Sequence, residues 1–338
     1  MSMENNRYAR QIILPQIGVQ GQEKLRNRCV SIIGAGALGN VSADLLARSG
    51  IGKIKIIDRD IVEITNLQRQ FIFQEEDINK PKAEVVAEHI KKTNSEVQTE
   101  HYVTHLDYTN IEKILEGSAL LIDATDNFET RFLLNDYSVK HKVPWLYCGV
   151  IATYGMTFNI EPQKGRPCLR CIFPKIPAPG TLPTCETAGI LNTVPVLFGS
   201  LQVTEALKML LDVNTRETLL IFDCWKPELQ EITVSRAKDC EVCVKNKFEY
   251  LEGKHLKRMI SLCGQNAYQI ISSETTKPDI SRVRERIGNI SELQVIGEII
   301  MFEVEGLSFT IFPDGRTIVK GVSSEEQART AYSKYIGD

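Results

Sequence analysis

Short apolar runs and longer amphipathic stretches alternate along the first half of the chain. The runs CVSII, KIKIIDRD, VQTEHYV, ALLIDATD and PWLYCGVI fit strands, several of them buried in a parallel sheet. Between them, apolar residues recur at helical spacing from Asn40 to Arg48 and in KPKAEVVAEHIKKTN, YTNIEKILEG and NFETRFLLNDYSVKHK. Gly50 and Gly52 end the first of these helices. This alternation predicts an α/β protein with a doubly wound, Rossmann-like sheet.

The pattern changes after Gly155, where a Pro- and Gly-rich stretch precedes a helix in TVPVLFGSLQVTEALKMLLD and strands in ETLLIFDCW and LQEITVS. With no strand-helix-strand rhythm, this mixed β half is expected to pack over the ligand edge of the sheet. Further on, EIIMFEVEGLSFTIFPDGRTIVKG predicts strands joined by turns, and a closing helix follows in which Ser323 and Glu326 fit a capping box. We expect a nucleotide-binding half over about 1–150, a second half over about 151–247, and a small α+β domain over 248–338.

Composition narrows the class of protein. The 338 residues are 43% hydrophobic and 25% charged, as in ordinary globular proteins, and the net charge of −3 gives no reason to expect nucleic acid or an anionic membrane as partner. The polar N-terminus lacks the apolar region of a signal peptide, and no apolar run approaches the ~18 residues of a membrane span, which predicts a cytoplasmic location. In that compartment the nine cysteines are more typical of metal ligands, reactive thiols or buried small side chains than of disulfides.

A glycine pattern marks a candidate nucleotide site. Gly34, Gly36 and Gly39 form G-x-G-x-x-G between a predicted strand and a predicted helix, where backbone N–H groups and the helix dipole can hold phosphate. Asp58 closes the next strand, 19 residues after Gly39, and its carboxylate suits a ribose. The pattern predicts a nucleotide but does not separate dinucleotide redox chemistry from ATP chemistry.

Polar and basic residues after Asp58 favour ATP. Asn66 and Arg69 lie in ITNLQRQ, and Lys82 follows a proline in INKPKAE. A triphosphate needs such cations, whereas a nicotinamide ring needs an apolar pocket. Taken singly, Arg69 or Lys82 is more typical of a solvated surface charge.

Two acids end the predicted strand in LLIDATDN. Asp126 lies where open α/β sheets place ligands, and its carboxylate could hold Mg²⁺. The alternative is that Asp126 caps the following helix. Asp123, inside the strand, is expected to be a buried acid satisfied by the backbone.

The cysteine spacing predicts a metal site. Cys168 and Cys171 form one C-x-x-C, and Cys240 and Cys243 form a second after 68 intervening residues. Two such pairs commonly complete a tetrahedral structural Zn²⁺ site with no role in chemistry. The alternatives are unpaired buried cysteines and a redox pair, but neither pair is predicted to begin a helix after a strand as a redox motif would.

The other cysteines divide into one candidate and four core residues. Cys185 lies in PGTLPTCETAGIL, a loop of the type that carries function, where a thiol could act as a nucleophile or be merely tolerated. Cys29, Cys148, Cys224 and Cys263 lie among apolar residues and are expected in the core.

In this order, the motifs RYARQIIL, GAGALG, IIDRD, NLQRQ, KPKAE, DATDN, PCLRC, TCETAG, GSLQVTEALKML and CEVC resemble the ThiF/MoeB/HesA family, relatives of the ubiquitin-activating enzymes. The resemblance runs from about Arg7 to Cys243. It implies an enzyme that uses Mg·ATP to adenylate the C-terminal Gly-Gly carboxylate of a ubiquitin-fold sulfur-carrier protein, releasing pyrophosphate.

The resemblance also implies roles for individual residues. Arg10 matches an arginine that the family delivers to the partner subunit's active site, which implies a homodimer. Cys185 matches a loop cysteine that in some relatives captures the activated carrier or helps its sulfuration, with a sulfur donor such as a cysteine desulfurase as a further partner. The remaining matches are to residues that line the nucleotide (Gly34, Gly36, Gly39), bind ribose (Asp58), contact phosphates (Asn66, Arg69, Lys82) and hold Mg²⁺ (Asp126).

About 95 residues follow Cys243, beyond the end of a compact enzyme of this type. They look similar to the extension of some bacterial thiazole-synthesis members, which favours ThiS as the carrier and thiamin synthesis as the pathway. MoaD in molybdopterin synthesis and a tRNA-thiolation carrier are the alternatives. A non-catalytic module that binds a ubiquitin fold and an NAD-dependent oxidoreductase are alternatives of a different class.

Overall fold

A computed structural model describes residues 7–177, 184–255, 259–262, 266–270, 280–288, 291–297 and 299–336. The chain divides into two compact units. The first consists of Met1–Leu182 and Ile190–Lys254, and the second of Pro183–Gly189 and His255–Asp338.

The first unit is built on an eight-stranded sheet in the order β3-β2-β1-β4-β5-β6-β7-β8. Strands β1 to β5 pair in parallel, and the strands from β5 to β8 pair antiparallel. The predicted Rossmann-like α/β sheet is therefore confirmed. Its strands are β1 (Cys29–Ile33), β2 (Lys53–Ile57), β3 (Gln98–Tyr102), β4 (Leu120–Asp123), β5 (Trp145–Ile151), β6 (Tyr154–Ile160), β7 (Thr218–Asp223) and β8 (Glu228–Thr233).

Helices cover the sheet, with an apolar core on each face. Neighbouring residues of a strand point to opposite faces, so Ile32 belongs to one core and Ile33 to the other. The helices of this unit are α1 (Ala9–Ile12), α2 (Gly18–Arg26), α3 (Ala37–Arg48), α4 (Lys82–Thr93), α5 (Ile111–Leu115), α6 (Phe128–His141), α7 (Leu169–Ile172) and α9 (Thr193–Leu210).

The second half of this unit differs from its prediction. Strands β6 to β8 extend the sheet beyond β5 and do not form a layer over its ligand edge. Strand β6 was not predicted because Gly155, Thr157 and Asn159 interrupt its apolar pattern. The side chains of Thr157 and Asn159 are nevertheless buried, and Asn159 Nδ2 donates to Glu205 Oε2 at 2.5 Å.

The second unit contains the predicted strands and closing helix. Its antiparallel sheet has the order β11-β12-β13-β14-β10-β9, and the two longer helices pack their apolar residues on one face. Its elements are α8 (Cys185–Ala188), β9 (Met259–Leu262), β10 (Ala267–Ile270), α10 (Ile280–Gly288), β11 (Leu293–Ile296), β12 (Ile299–Val304), β13 (Leu307–Ile311), β14 (Thr317–Lys320) and α11 (Glu325–Tyr335).

The cap of α11 lies one residue later than predicted. Ser324 is the N-cap, and its Oγ accepts from Gln327 N at 3.2 Å. Ser323 instead donates from N and Oγ to the Gln327 side chain, so Glu326 takes no part in a capping box. Across the described residues, no helix is both long and apolar enough to cross a membrane.

Candidate nucleotide and metal sites

The carboxyl ends of three parallel strands meet at one edge of the sheet. Ile33 at the end of β1 lies opposite Ile57 of β2 and Asp123 of β4. The residues that follow these strands, including Gly34 and Asp58, therefore share this edge, where open α/β sheets bind ligands.

The turn after β1 requires glycine at two positions. Gly34 has φ +96°, and a Cβ there would lie 2.4 Å from Ala124 O; a Cβ at Gly39 would lie 2.0 Å from Gly34 O. Gly36 is the N-cap of α3, with no side-chain cap on the helix. The first N–H groups of α3 are thus left to bind an anion such as phosphate.

Asp58 braces this turn from the end of β2. Its Oδ2 accepts from Ala35 N at 2.6 Å, and its Oδ1 accepts from Asp60 N at 2.7 Å. Burial and the neighbouring Asp60 carboxylate raise the pKa of Asp58, while Lys82 opposes them. Each carboxylate oxygen can accept a second hydrogen bond, as a ribose hydroxyl would require.

The basic residues approach the same edge from the segment after β2. Lys82, at the start of α4, is buried, with Nζ 3.8 Å from Asp60 Oδ2. Asn66 Oδ1 accepts from Glu63 N at 3.0 Å, and Arg69 Nη1 donates to Thr65 O at 2.9 Å. The structure therefore places Lys82 beside Asp60, two residues after Asp58. Asn66 and Arg69 lie on the segment that connects β2 to α4.

A hydrogen bond and a close approach bring this turn to the glycine segment. Ile72 N donates to Asn40 Oδ1 of α3 at 2.9 Å. Gln70 is buried, and its Nε2 would lie 3.8 Å from a Cβ at Gly36.

A buried ion pair supports the turn after β4. Asp123 is fully buried, and Arg131 Nε donates to its Oδ2 at 2.9 Å. Arg131 Nη2 also donates to Thr125 O at 2.7 Å and to Cys148 O at 3.0 Å. Burial disfavours the guanidinium charge, yet Asp123 raises the pKa of Arg131 above its usual value.

Asp123 is a buried acid, as predicted, and Thr125 N supplies the expected backbone donor at 2.9 Å. Side chains also donate to it: Thr125 Oγ1 at 2.7 Å and Arg131 Nε. Sequence reasoning missed Arg131 altogether. The available signal was one arginine between the apolar residues Phe128 and Phe132, whose spacing places it on the buried side of α6.

Asp126 is exposed at this edge, and the alternative capping role for it is wrong. The N-cap of α6 is Asn127, whose Oδ1 accepts from Thr130 N at 2.9 Å. Asp126 accepts only a long bond of 3.4 Å from Asn127 Nδ2 among the contacts described for it. Its carboxylate is open to a cation that also contacts phosphate.

Arg10 lies far from the other candidate residues of its own chain. It is exposed on α1, and the adjacent Gln11 donates to Ser49 O at 2.9 Å. Ser49 ends α3, whose first residue follows Gly36, so the 12 residues of this helix separate the two regions. At 1.5 Å per residue this is about 18 Å, further than an arginine side chain extends.

The four predicted zinc ligands come together. Cys168 Sγ lies 3.6 Å from Cys240 Sγ, Cys171 Sγ lies 3.6 Å from Cys243 Sγ, and all four sulfur atoms are within 4.8 Å of one another. Tetrahedral Zn²⁺ with Zn–S bonds of about 2.3 Å places sulfurs about 3.8 Å apart, so the donor set fits zinc.

Neither cysteine pair begins a helix directly after a strand, as predicted. Cys168 is the N-cap of the four-residue helix α7. The segment before it is the 3-10 turn Pro162–Lys164, not a strand. Because the second pair closes over the first, the four-sulfur arrangement disfavours a redox role.

The other described thiols are poor nucleophiles. Cys148 is fully buried, and burial raises its pKa. Cys29 and Cys224 are half-buried, and burial raises their pKa values also. Cys185 is the first residue of α8, with Thr184 as N-cap, and its side chain lies outside the described part, as does Cys263.

Comparison with known proteins agrees with this geometry. The sequence model of the ThiF family matches residues 8–242. A relative in Bacillus subtilis, sulfur carrier protein ThiS adenylyltransferase, is 36% identical over 336 residues, which is 98% of this chain and 99% of that protein. Sulfur carrier protein adenylyltransferase of Thermus thermophilus is 38% identical over 246 residues, covering 71% of this chain and 91% of that protein. A crystal structure of Escherichia coli MccB with ATP is 25% identical with a TM-score of 0.61, covering 71% of this chain and 75% of that one.

Proposed function

The chain belongs to the ThiF family, and from this premise we propose that it adenylates the C-terminal Gly-Gly carboxylate of a ubiquitin-like sulfur-carrier protein. One observation carries the proposal: four groups lie at the same edge of the sheet. They are the uncapped N-terminus of α3 after Gly36, the Asp58 carboxylate, the Lys82 cation and the exposed Asp126 carboxylate. These are the groups that a nucleoside triphosphate with its metal requires.

In this proposal the glycine turn and the N-terminus of α3 hold ATP, and Asp58 binds its ribose. Asn66, Arg69 and Lys82 contact the phosphates. Asp126 would hold Mg²⁺, which when bound neutralises phosphate charge. Lys82 leaves the Asp60 carboxylate, 3.8 Å away, as phosphate oxygens replace it.

The reaction is an in-line displacement. A carboxylate oxygen of the carrier attacks the α-phosphorus, and the bond from that phosphorus to the oxygen bridging to the β-phosphate breaks. Pyrophosphate leaves with the electron pair, and the carrier becomes an acyl-adenylate. No proton transfer is needed, so positioning and charge stabilisation supply the catalysis.

Arg10 completes the site in a homodimer. Since α3 separates Arg10 from the glycine turn of its own chain, a second copy is the natural source of this cation. We propose two composite sites, each with Arg10 of the opposite copy.

ThiS is the proposed carrier, in thiamin thiazole synthesis. The support is that the ThiS adenylyltransferase of Bacillus subtilis matches 98% of this chain, including the second unit, whereas the Thermus thermophilus relative matches 71%. MoaD and a tRNA-thiolation carrier are the alternatives. Adenylyltransferase and sulfurtransferase MOCS3 of Culex quinquefasciatus is also 37% identical over 243 residues, but this chain spans only 55% of that protein's length.

Two further roles belong to the cysteines. Cys168, Cys171, Cys240 and Cys243 would hold structural Zn²⁺ that ties α7 to the segment after β8. Cys185 would capture the activated carrier or assist its sulfuration, with a cysteine desulfurase or another sulfur donor. A Cys185→Ser variant should then adenylate normally but fail to support sulfur transfer.

The decisive experiment is ATP–pyrophosphate exchange with Mg²⁺ and, separately, ThiS-type and MoaD-type carriers. Carriers lacking the Gly-Gly tail serve as controls. Exchange that depends on one intact tail is the expected result and names the substrate. Tight carrier binding without exchange would contradict adenylation and favour the non-catalytic binding module, and hydride transfer to NAD would favour the oxidoreductase.

A further inference from the structure

Helix α1, which carries Arg10, is attached to the first unit by polar side chains on both sides of that arginine, the buried Tyr8 and the partly buried Gln11. The helix has only four residues, Ala9–Ile12. A helix this short is unstable alone, so its position depends on its attachments.

The first attachment is Tyr8. Its ring is 5% exposed and packs against the backbone of Gly50, where a Cβ would lie 2.5 Å from a ring carbon. Asn94 Nδ2 donates to Tyr8 Oη at 2.8 Å and to Ala47 O at 2.7 Å. The phenol is therefore fixed to the ends of α3 and α4.

The second attachment is Gln11. Its Nε2 donates to Gln22 Oε1 at 2.7 Å and to Ser49 O at 2.9 Å. Gln22 is buried and donates to the same Ser49 O at 3.0 Å. Two amides thus converge on the carbonyl that ends α3.

Arg10 lies between these attachments and is itself exposed. The two neighbours point into the unit, while Arg10 points away from it. Such an arrangement fixes the backbone of one residue and leaves its side chain free to meet another molecule.

We infer that Tyr8 and Gln11 are positioning residues that present Arg10 to the nucleotide site of a second copy of the chain. The inference rests on the proposed function, and it adds residues that touch neither ATP nor the carrier. Losing these bonds lets α1 detach, so that the guanidinium is seldom placed at the other copy's phosphates.

The test measures pyrophosphate exchange by the full chain in two mixtures of subunits. From each mixture the heterodimers are first isolated through a different affinity tag on each subunit, so that homodimers do not contribute to the rate. In one mixture, Gln11→Ala subunits pair with Lys82→Ala subunits, so that the site with Lys82 receives Arg10 from an intact α1. In the other, a subunit carrying both changes pairs with wild type, so that the site with Lys82 receives Arg10 from the detached α1.

We expect the first mixture to keep one fully working site per dimer. The second mixture should exchange pyrophosphate about tenfold more slowly than the first, because loss of about 1.4 kcal/mol of hydrogen bonding corresponds to that factor. Tyr8→Phe, which keeps the ring against Gly50, should give the same order with a smaller, few-fold effect. Equal rates for the two mixtures, or a faster rate for the second, would overturn the inference. A role of Gln11 within its own subunit predicts that the second mixture is faster.

Gln20→Ala is the matched control, because Gln20 is an exposed glutamine on α2. Amide hydrogen exchange supplies a readout that does not depend on activity: Gln11→Ala should speed exchange over residues 9–14 and leave residues 30–39 unchanged. If the amides of residues 9–14 stay as protected from exchange in Gln11→Ala as in wild type, Gln11 does not hold α1 in place and the inference is contradicted. Wild-type protein without pyrophosphate exchange would contradict the proposed function instead.

Discussion

Asp126 and Asn127 are adjacent but have different tasks. Asn127 caps α6, so the exposed Asp126 carboxylate has no part in holding the helix. Asp126→Asn should therefore leave the unfolding temperature unchanged while slowing pyrophosphate exchange at least ~100-fold and raising the Mg²⁺ concentration required. Glu88→Gln, an exposed acid on α4, is the control. Unchanged magnesium dependence would contradict the metal role.

Arg131 is predicted to be essential for the stability of the same edge. Arg131→Gln leaves the fully buried Asp123 carboxylate without its cation, and removing one partner of a buried pair costs about 3–5 kcal/mol. Urea unfolding should show this loss, and Asp123→Asn combined with Arg131→Gln should recover part of it. If the double variant is no more stable than Arg131→Gln, an unpaired charge is not the cause.

Asp136 makes stability depend on pH. It is fully buried, Tyr250 N donates to its Oδ2 at 2.9 Å, and burial raises its pKa to about 7. The unfolded carboxyl titrates near ~4. The folded state holds the proton more strongly, so this contribution is complete below pH ~4 and is lost as pH rises towards 7, on the order of 2–4 kcal/mol.

Asp136→Asn should remove that dependence. The fall in unfolding temperature from pH 5 to pH 8 should be smaller in the variant than in wild type, measured by calorimetry. Asp239→Asn, at an exposed acid, should keep the wild-type slope. Parallel pH profiles for wild type and Asp136→Asn would contradict the raised pKa.

At the residue scale, sequence could predict chemistry but not partners. Glycines, acids, cations and cysteines stand out because their types are unusual in their local patterns. The hydrogen-bond partners of such residues lie far away in the sequence, outside any local pattern. Glu205 is 46 residues from its partner Asn159, and Arg131 is 17 residues from Cys148, whose carbonyl oxygen accepts from it. Which of two adjacent residues caps a helix, such as Asn127 and not Asp126 for α6, depends on backbone angles that the sequence pattern does not specify.

At the element scale, the strands predicted best are β1, β2 and β4, whose buried positions are mostly Ile, Leu or Val, because burial on both faces favours such residues. Helix α3 begins at Ala37, three residues before its predicted start, since its first turn is the glycine motif itself. Strand β6 escaped prediction because the groups that accept from its buried Asn159 Nδ2, Glu205 Oε2 and Arg216 O, lie far away in the sequence.

The cysteine cluster joins α7 to the segment after β8. Cys243→Ser should lower the zinc content well below one ion per chain, measured by atomic emission, and lower the unfolding temperature, because a four-ligand site loses a thiolate. Cys224→Ser, at a half-buried thiol outside the cluster, is the control. Wild-type protein with far less than one zinc per chain would contradict the site.

At the scale of the whole molecule, the α/β architecture followed from sequence, and the family resemblance implied a homodimer. The length of α3 between Arg10 and the glycine turn supports the proposed second copy. Dimers mixed from Arg10→Ala and Lys82→Ala subunits should recover one working site, since one site keeps Lys82 and receives an intact Arg10. The homodimers of each variant should be nearly inactive. No recovery on mixing would contradict action between copies, and light scattering should report about twice the 38.1 kDa chain mass.

The two halves of the cysteine cluster are also separated in time. The second pair follows the first by 68 intervening residues, which include α9, β7 and β8. At ribosomal speeds of about 5–20 residues per second, the first pair is made some 3–14 s before its partners. During that interval two thiols wait with half a coordination shell, open to oxidants and to the wrong metal. With the proposed zinc as its occupant, assembly of this cluster would depend on the redox state and metal supply at the ribosome as well as on the sequence.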